Sequence, residues 1–587
     1  MGPMVMTGRG WIAAGLAEPT LWVNGEQYRM VYNVQTTRYL PGKLIQEYND
    51  ENLNFTTELC YLTSRSVAIR SIVKNMSQKT VKVSFDWNGG VYEPTSVVSS
   101  IDKGLSFIRP KDSTNTVIRF LTADKIQAVG SDSLHVTEKS EMTLEPGKTY
   151  QSEMTQTLTL RGEDTAKELA AIATLNIDNC FELNEQQWNA QIASLLSGNS
   201  KYLKDNKYRK VLVKAMMTLN SNYRTPAGDI LHGGSNPSYN GFINGIWSWD
   251  SWKIASGNVH FNEEIAKSEM ITLFDYQADN GMVPDFISYN KKYNNWRDAK
   301  PPVAAWGAMN VYKATGDKKF LETMFDKLYK FHQWWYAERD HNHNGICEYG
   351  STDGTLIAAC WESGMDNGVR FDDAVMQKNS EKAWSMNQEN ICLNSFLYVD
   401  KTILAEMATL LNKPELAAQL NAEAKVIKEF VQTKMWDKET GFFYDTRIDT
   451  GEHIKVMGAE CWLPLWAGIA TPEQAKQVMQ KMMDPQKFNS TLPLGTLDIS
   501  HPRLRPVRGY WRGPVWVDQV YFGITGLRNY GFDREADILT EKFINNAQGL
   551  TTDGPIHENY NPLTGEALNS PNFGWSSACI IKMLLDE

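Results

Sequence analysis

The stretch VYKATGDKKF, residues 311–320, joins two helical segments through a tight turn, since Gly316 ends one helix and Asp317 begins the next. The same arrangement recurs in ATLLNKPELA (408–417) and ITGLRNYGFDRE (524–535). Helix pairs repeated over the second two-thirds of the chain favour a closed helical toroid. Long loops rich in Trp, Gly, Asn and Asp interrupt the pairs, and such loops are where function usually lies.

The N-terminal region has a different period. Alternate residues Val81, Val83, Phe85 and Trp87 fall on one face of a strand. Similar runs follow between residues 20 and 160, and they are separated by turn signals such as NGG at 88–90 and EPGK at 145–148. This alternation predicts an antiparallel β-sandwich. We therefore predict a β-sandwich domain over 1–165, a helical linker over 166–202 and a helical domain over 203–587.

The composition excludes several classes of function. A formal net charge of −10 argues against nucleic acid or an anionic membrane surface as the main partner. No apolar run reaches the roughly 18 residues of a transmembrane helix, and the first residues show no signal-peptide pattern. The 7 Cys include no CxxC pair, so we expect no zinc site but buried thiols, with or without one disulfide.

Tryptophan is concentrated in the helical region. Of 19 Trp, only Trp11, Trp22, Trp87 and Trp188 precede residue 200. Indole rings suit the C–H faces of sugars, although large helical cores use Trp as well. The candidate sugar-contacting aromatic residues are Trp247, Trp249, Trp306, Trp361, Trp511 and Trp575.

Two carboxylates stand out among aromatic, amide and glycine neighbours. Asp366 lies in WESGMDN (361–367), and Glu558 lies in GPIHENYNPLTGE (554–566). Cleavage of a glycosidic bond needs two opposed carboxyl groups, one to protonate the leaving oxygen and one to activate water or attack carbon. The two residues are far apart in the chain, so only tertiary folding can bring them together.

Three further polar residues are candidate contacts of a sugar. Asp250 stands between tryptophans in NGIWSWDSWK (244–253), where it either holds sugar hydroxyls or caps a helix. Glu362 is a second candidate for the acid within WESGMDN. Arg512 in YWRGPVWVDQ (510–519) is a bidentate donor suited to a hydroxyl pair or to a catalytic carboxylate.

The loop DHNHNGICEYG (340–350) spaces its oxygen ligands closely. The loop has oxygen side chains at positions one, three, five and nine (Asp340, Asn342, Asn344 and Glu348), and the Ile346 carbonyl adds a fifth oxygen at position seven. Calcium prefers such ligands, and the carboxylate spacing differs from that of an EF-hand. The loop therefore predicts a structural Ca²⁺ site, with an Asx-rich turn without metal as the alternative.

Together these segments resemble glycoside hydrolase family 63, and within it the bacterial α-glucosidases. The resemblance covers roughly residues 200–587. It rests on WSWDSWK, NNWRDAKPP, DHNHNGICEYG, WESGMDN, PLGT (493–496), YWRGPVWVDQ and GPIHENYNPLTG, in this order. The chain departs from the close bacterial relatives at Asn367, where a second acid is often found.

The resemblance implies a multidomain fold, an N-terminal antiparallel β-sandwich followed by an all-α (α/α)6 barrel. It implies hydrolysis with inversion, with Asp366 as general acid, Glu558 as general base and Asp250 bound to the sugar at the cleavage site. It also implies that Glu389 completes the Ca²⁺ site. A periplasmic or otherwise exported location follows from the family, with a cytoplasmic one left open.

The leading prediction is an exo-acting α-glucosidase for short α-1,2 or α-1,3 glucosides, monomeric, with a small oligosaccharide as its partner. The alternative within enzymes is hydrolysis of mannosylglycerate, glucosylglycerate or another small α-glycoside on the same fold. A charged leaving group would call for basic residues, and Arg297, Lys300 and Arg370 are candidates. A third reading is a sugar-binding protein without catalysis.

Overall fold

The computed structural model describes residues 5–7, 10–13, 15–31 and 37–586. The chain divides into two compact units, Met1–Ala193 and Ser194–Glu587. The first is rich in antiparallel strands and the second is mainly helical, in the order that the sequence predicts.

The first unit is built from strands that alternate buried and exposed residues. In β9, for example, the four residues of the predicted face, Val81, Val83, Phe85 and Trp87, are all buried. The strands are β1 Val5–Thr7, β2 Gly10–Ala13, β3 Ala17–Val23, β4 Glu26–Gln27, β5 Thr37–Leu40, β6 Lys43–Asn49, β7 Leu53–Tyr61, β8 Ser66–Asn75, β9 Val81–Gly90, β10 Val97–Ile101, β11 Gly104–Ile108, β12 Asn115–Phe120, β13 Lys125–Val129, β14 Ser133–Leu144 and β15 Thr149–Thr159.

Two main sheets share one core. In the described part of the unit, an eight-stranded sheet has the order β10-β11-β12-β15-β8-β7-β6-β5, and a five-stranded sheet has the order β13-β14-β9-β3-β4. Phe55 of the larger sheet meets Phe85 of the smaller one edge to face, with ring centroids 5.7 Å apart. The NGG segment, predicted as a turn, instead ends β9 and pairs with β14.

The segment predicted as a linker is helical. It forms α1 Thr165–Ala173 and α2 Ile177–Leu195. Asp164 caps α1 by accepting a hydrogen bond from the Lys167 amide. The division between the two units falls near the end of α2 rather than beyond the segment.

The second unit contains a ring of packed helices. Within the described residues, α4 packs on α6 and α15, and the contacts continue through α9, α11 and α13 back to α15. Outside this ring, α3, α5, α7, α10 and α14 each contact a ring helix. The helices are α3 Asn206–Asn222, α4 Ser248–Asn258, α5 Glu263–Thr272, α6 Ala304–Thr315, α7 Lys318–Glu338, α8 Leu356–Glu362, α9 Ile391–Leu410, α10 Pro414–Thr433, α11 Leu463–Trp466, α12 Pro472–Met482, α13 Val517–Asn529, α14 Asp533–Asn546 and α15 Gly574–Leu585.

The three predicted helix–turn–helix connections are present. Gly316 follows α6 with φ 66°, a left-handed conformation that glycine adopts without steric cost. Asp317 then caps α7 by accepting a hydrogen bond from the Phe320 amide. Asn412 and Gly531 take the same left-handed conformation in the other two turns.

Short strands line the loops of this unit. They are β16 Tyr223–Arg224, β17 Gly234–Ser235, β18 Gly245–Trp247, β19 Phe286–Ser288, β20 Gly350–Ser351, β21 Met376–Ser380, β22 Ala383–Met386, β23 Gln388–Glu389, β24 Trp436–Asp437, β25 Phe442–Phe443, β26 Thr446–Arg447, β27 Val515–Trp516, β28 His557–Tyr560 and β29 Ala567–Pro571. All seven cysteines are free thiols, so the optional disulfide is not formed. Among the described helices, none is long and apolar enough to cross a membrane.

Candidate active site

Glu558 lies on β28, the central strand of the sheet β27-β28-β29. Its carboxylate is only 2% exposed and accepts hydrogen bonds from the Tyr510 hydroxyl at 3.0 Å and the Ser570 amide at 3.2 Å. Burial raises the pKa of Glu558 to about 7, although these two donors act to lower it. A half-neutral carboxyl is therefore present here at neutral pH.

Asp366 lies in the turn that follows α8 and is partly exposed. Burial raises its pKa to about 6, the Lys300 ammonium lowers it, and the Asp285 carboxylate raises it. The charge of Asp366 also raises the pKa of Glu558. The fold thus brings the two predicted carboxylates into one electrostatic site, where they share one proton between about pH 6 and 7.

Glu558 has the higher pKa of the two, although the resemblance makes it the base, which should ionise first. Its two hydrogen-bond donors suit a carboxylate that is ionised when it acts. A proton exchanged between two coupled carboxyls moves to whichever one a bound substrate favours.

Tyr510 interacts with both carboxylates, and no pattern in the sequence singles it out. Burial raises its pKa well above the usual range, as do the charges of Glu558, Asp366 and Asp250. Its backbone has φ 58°, uncommon for a residue other than glycine, and its carbonyl accepts a hydrogen bond from Trp516 Nε1 at 2.9 Å. Backbone strain of this kind is often found at functional sites.

Asp250 occupies the first turn of α4 and is 3% exposed. Trp247, rather than Asp250, is the N-cap residue of this helix, so the capping alternative is wrong. Burial raises the pKa of Asp250 to about 8, against the lowering effects of Lys253 and Lys300. Because Lys300 acts on both residues, Asp250 belongs to the same charged group as Asp366.

Four tryptophans form the aromatic wall of the site. Trp249 and Trp575, the second residues of α4 and α15, have ring centroids 5.0 Å apart, so both helices begin at the same end of the ring. Trp511 lies 6.5 Å from Trp249 and stacks on Trp516 at 4.0 Å. Trp516 was not selected from the sequence, although it lies in the same segment as Trp511.

Trp247 and Trp361 are partly exposed and have no ring contact with this wall among the described residues. Trp247 packs on Phe286 with ring centroids 4.5 Å apart. Trp361 is partly exposed, and the Arg297 guanidinium lies 5.1 Å from its ring centroid.

Trp306 is a correction to the predicted set. Its ring packs against Trp466, Tyr521 and Phe522, and it has no ring contact with the wall among the described residues. It extends a large aromatic core, which is the alternative role for tryptophan that the sequence left open.

Glu362 is a second correction, because its carboxylate is fully buried and already paired. It accepts hydrogen bonds from Arg339 at 2.7 and 2.8 Å, from the Ala299 amide at 3.2 Å and from the Gly350 amide at 2.6 Å. A carboxylate with these four donors fastens the segment WESGMDN to Arg339, Ala299 and Gly350 and is not available to a sugar.

Arg512 is a third correction. Its guanidinium pairs with Asp372 and donates to the Asn367 carbonyl at 2.8 Å, rather than to a catalytic carboxylate. The Asn367 side chain accepts from the Trp511 amide and donates to the Gly509 carbonyl, each at 3.0 Å. These contacts fasten the turn after Asp366 to the loop that carries Tyr510.

The three candidate cations for a charged leaving group differ in accessibility. Arg370 is buried against Asp445, with two N–O distances of 3.2 Å. Lys300 is buried beside Asp285 at 3.3 Å. The Arg297 side chain is 41% exposed and pairs with Asp353, so it is the accessible one of the three.

The predicted metal loop and Glu389 do come together. Glu389 accepts a hydrogen bond from Asn344 Nδ2 at 2.8 Å, and Asp340 accepts from the amides of Asn344 and Gly345 at 3.0 and 2.9 Å. Burial raises the pKa of Asp340, Glu348 and Glu389, and for Glu348 and Glu389 the charge of Asp340 adds to this.

One atom in this loop supports a cation. Glu348 Oε1 is buried and has no hydrogen-bond partner among the described residues. No group of three His, Cys, Asp or Glu side chains in the described chain is arranged as a metal centre. A cation would therefore need the amide oxygens of Asn342 and Asn344 and the Ile346 carbonyl, and such oxygens suit calcium.

Comparison with known proteins gives the family of the second unit. A family model described as mannosylglycerate hydrolase MGH1-like glycoside hydrolase domain matches residues 244–576. A mannosylglycerate hydrolase of Rubrobacter radiotolerans is 27% identical over 58% of this chain and 90% of its own length. A glucosylglycerate hydrolase of Mycolicibacterium hassiacum is 23% identical over 58% of this chain and 91% of its own length.

The solved structures agree in fold. A family 63 mannosylglycerate hydrolase from Thermus thermophilus, in complex with Tris, aligns with a TM-score of 0.53 and 23% identity over 63% of this chain and 99% of that one. The matched family model spans more than half of the chain and includes Asp250, Asp366 and Glu558. The chain is a glycoside hydrolase with an MGH1-like glycoside hydrolase domain, and it belongs to glycoside hydrolase family 63.

Proposed function

We propose that this enzyme hydrolyses mannosylglycerate or glucosylglycerate, the alternative that the sequence left open, with inversion at the anomeric carbon. The observation that carries the proposal is the pair Asp366 and Glu558, which are coupled through space and both act on the Tyr510 hydroxyl. The names of the relatives favour glycerate glycosides over the α-glucobioses of the leading prediction.

In the proposed reaction, Asp366 gives its proton to the glycosidic oxygen as the bond to the anomeric carbon breaks. Glu558 accepts a proton from a water molecule that attacks the same carbon from the opposite face. The product sugar then has the opposite anomeric configuration, and the two carboxyls exchange protons with solvent to restore the starting state. Asp250 and the wall of Trp249, Trp511 and Trp575 would hold the sugar during this step.

The ring of helices suits this role. We propose that it is the (α/α)6 barrel implied by the family, with the site at the end where α4 and α15 begin. The first-turn amides of these helices are electropositive and favour the nearby carboxylates in their charged form.

An acidic leaving group needs a cation near the mouth of the site, and we propose Arg297 for this role. Its guanidinium is accessible and lies on Trp361, the first residue of the acid segment WESGMDN (361–367). An α-glucobiose has a neutral leaving group and gains nothing from this charge. Arg297→Gln should therefore raise KM for glycerate glycosides and leave KM for any glucobiose unchanged.

We propose that Asp340, Asn342, Asn344, the Ile346 carbonyl, Glu348 and Glu389 hold a structural Ca²⁺. When bound, the ion would neutralise the repulsion among the three carboxylates and brace the loop. The protein residues named above carry the reaction, and no step depends on the ion.

The test is a proton NMR time course with mannosylglycerate, glucosylglycerate, kojibiose and nigerose. Initial release of the β-sugar from a glycerate glycoside supports both substrate and inversion, whereas initial release of the α-sugar excludes inversion. Cleavage of the glucobioses alone would restore the α-glucosidase prediction.

Variants of the two carboxyls test the roles. Asp366→Asn and Glu558→Gln should each lower kcat by about 10²–10⁴-fold. Asp373→Asn and Glu566→Gln, exposed neighbours on the same segments, are the matched controls and should remain active. Near-normal turnover of either catalytic variant would refute the assignment.

A further inference from the structure

Lys300 is a buried cation that the proposed reaction does not use. It is 6% exposed and lies shortly before α6. Its ammonium donates to the Trp361 carbonyl and lies 3.3 Å from Asp285 Oδ1 and 3.7 Å from Asp298 Oδ2. A lysine is costly to bury, so these partners must keep its charge in place.

The two aspartates are themselves held together. Asn295 Nδ2 donates to Asp285 Oδ2 and to Asp298 Oδ1, each at 2.9 Å. Burial and the charge of Asp285 raise the pKa of Asp298 well above its usual range. Asp285 is also the nearer of the two aspartates to the Lys300 ammonium, at 3.3 Å against 3.7 Å, and is therefore its main ionic partner.

The segment around Lys300 is pinned to the acid segment at two adjacent points. The Ala299 amide donates to Glu362 Oε1 at 3.2 Å, and the Lys300 ammonium donates to the Trp361 carbonyl. Asp366 follows these residues after a single turn. A movement of Lys300 would thus be transmitted to the carboxyl of Asp366.

We propose that Lys300 is a positioning residue for Asp366, which anchors the acid segment through Trp361 and sets the charge beside the acid. This inference rests on the proposed role of Asp366 as the general acid. Lys300 neither gives nor takes a proton in the proposed reaction, yet it influences how tightly Asp366 holds its proton.

The charges that face Asp366 determine the sign of the effect. Lys300 lowers the pKa of Asp366, and Asp285 raises it. The charge of Asp366 in turn raises the pKa of Glu558, Tyr510 and Cys360. Lys300 is the cation among these groups, so its removal makes Asp366 hold its proton to higher pH and release it less readily.

The test compares two substrates across pH. A glycerate glycoside needs a proton from the acid, whereas the matching α-glycosyl fluoride releases fluoride without one. Lys300→Met should move the acidic limb of kcat/KM for the glycoside, which the lower pKa of Asp366 sets, upward by about one pH unit. It should leave the limb of the fluoride profile, which depends on ionised Glu558, in place. Lys300 also acts on Asp250, but that effect is common to both substrates and cancels in the comparison.

Charge and packing are separated by two further variants. Lys300→Arg keeps the cation and should restore the wild-type limb. Asp285→Asn combined with Lys300→Met removes both members of the ion pair, so no unpaired buried charge is left to cause misfolding. This double variant should still move the limb upward, but by less, because Asp285 raises the pKa of Asp366 in the wild type. Equal losses on both substrates with unmoved limbs would overturn the inference.

Asp366→Asn separates this inference from the proposed function. It should abolish cleavage of the glycoside and spare the fluoride. If Asp366→Asn cleaves the glycoside normally, the proposed function fails. If it behaves as expected while Lys300→Met leaves the limb unmoved, only the role of Lys300 fails.

Discussion

At the scale of single residues, Tyr510 links the parts of the site. Its hydroxyl donates to Glu558, its carbonyl accepts from Trp516, and its backbone is left-handed. A left-handed conformation costs a tyrosine free energy, so the contacts around Tyr510 must stabilise the folded state by more than this cost. The residue directly before WRGP is therefore part of the site as much as Trp511 is.

Tyr510→Phe should impair the base selectively. It removes a donor that stabilises ionised Glu558, so the pKa of Glu558 rises and the alkaline limb of kcat/KM, which this higher pKa sets, moves to higher pH. We expect kcat to fall by about 10–100-fold with the fold retained. Tyr293→Phe, at a tyrosine that is 64% exposed, is the control. An unmoved alkaline limb would contradict this role.

At the scale of elements, the turn after Asp366 and the loop 509–512 act as one structure. The Asn367 side chain donates a hydrogen bond to the Gly509 carbonyl and accepts one from the Trp511 amide. The Arg512 guanidinium donates a third hydrogen bond, to the Asn367 carbonyl. An amide suits this position because it both accepts and donates a hydrogen bond across the contact. A carboxylate can accept from Trp511 but cannot donate to Gly509.

Asn367→Asp tests this connection. The change leaves the Gly509 carbonyl unpaired beside a new negative charge, at a cost of roughly 1–3 kcal/mol. We expect kcat/KM to fall by about tenfold, and the acidic limb to move to higher pH because the new charge raises the pKa of Asp366, the lower of the two. Steady-state kinetics across pH would measure both, and unchanged kinetics would show that the connection is dispensable.

Chelation tests the metal loop. If Ca²⁺ is bound at about 100 times its Kd, its removal lowers the free energy of unfolding by about 2.7 kcal/mol. EGTA should thus lower Tm, and added Ca²⁺ should restore it, as followed by calorimetry. Glu348→Gln should have a Tm that no longer responds to EGTA. A wild-type Tm that is indifferent to EGTA would favour the Asx-rich turn without metal.

At the scale of the whole molecule, Asp366 and Glu558 come together only when the second unit is folded. Below about pH 6 both carboxyls are protonated and the base is lost; above about pH 7 both are ionised and the acid is lost. We therefore expect a narrow bell-shaped kcat/KM profile centred between these values. A plateau extending beyond about pH 8 would show that the two carboxyls do not share a proton.

The sequence predicted much of the architecture because periodic burial is a local property. Val81, Val83, Phe85 and Trp87 alternate, so one sheet face is set by the chain itself, and Gly316 with Asp317 sets a helix–turn–helix wherever it occurs. The order of the motifs likewise identified the family, since WESGMDN and GPIHENYNPLTG combine residue types that few folds need.

The role of each individual residue could be assigned only from the tertiary structure. Glu362 and Asp366 are four positions apart in one motif, yet Arg339 and two amides from distant segments occupy the first and leave the second partly exposed. Trp306 and Trp575 are equally plausible in sequence, but only Trp575 lies beside Trp249. Tyr510, Asp285 and the anchoring of Lys300 became visible in the same way. The sequence by itself determined the periodicity, the turns and the chemical types present; the folded chain decided which charges meet, because burial and through-space interaction depend on distances that spacing along the chain does not contain.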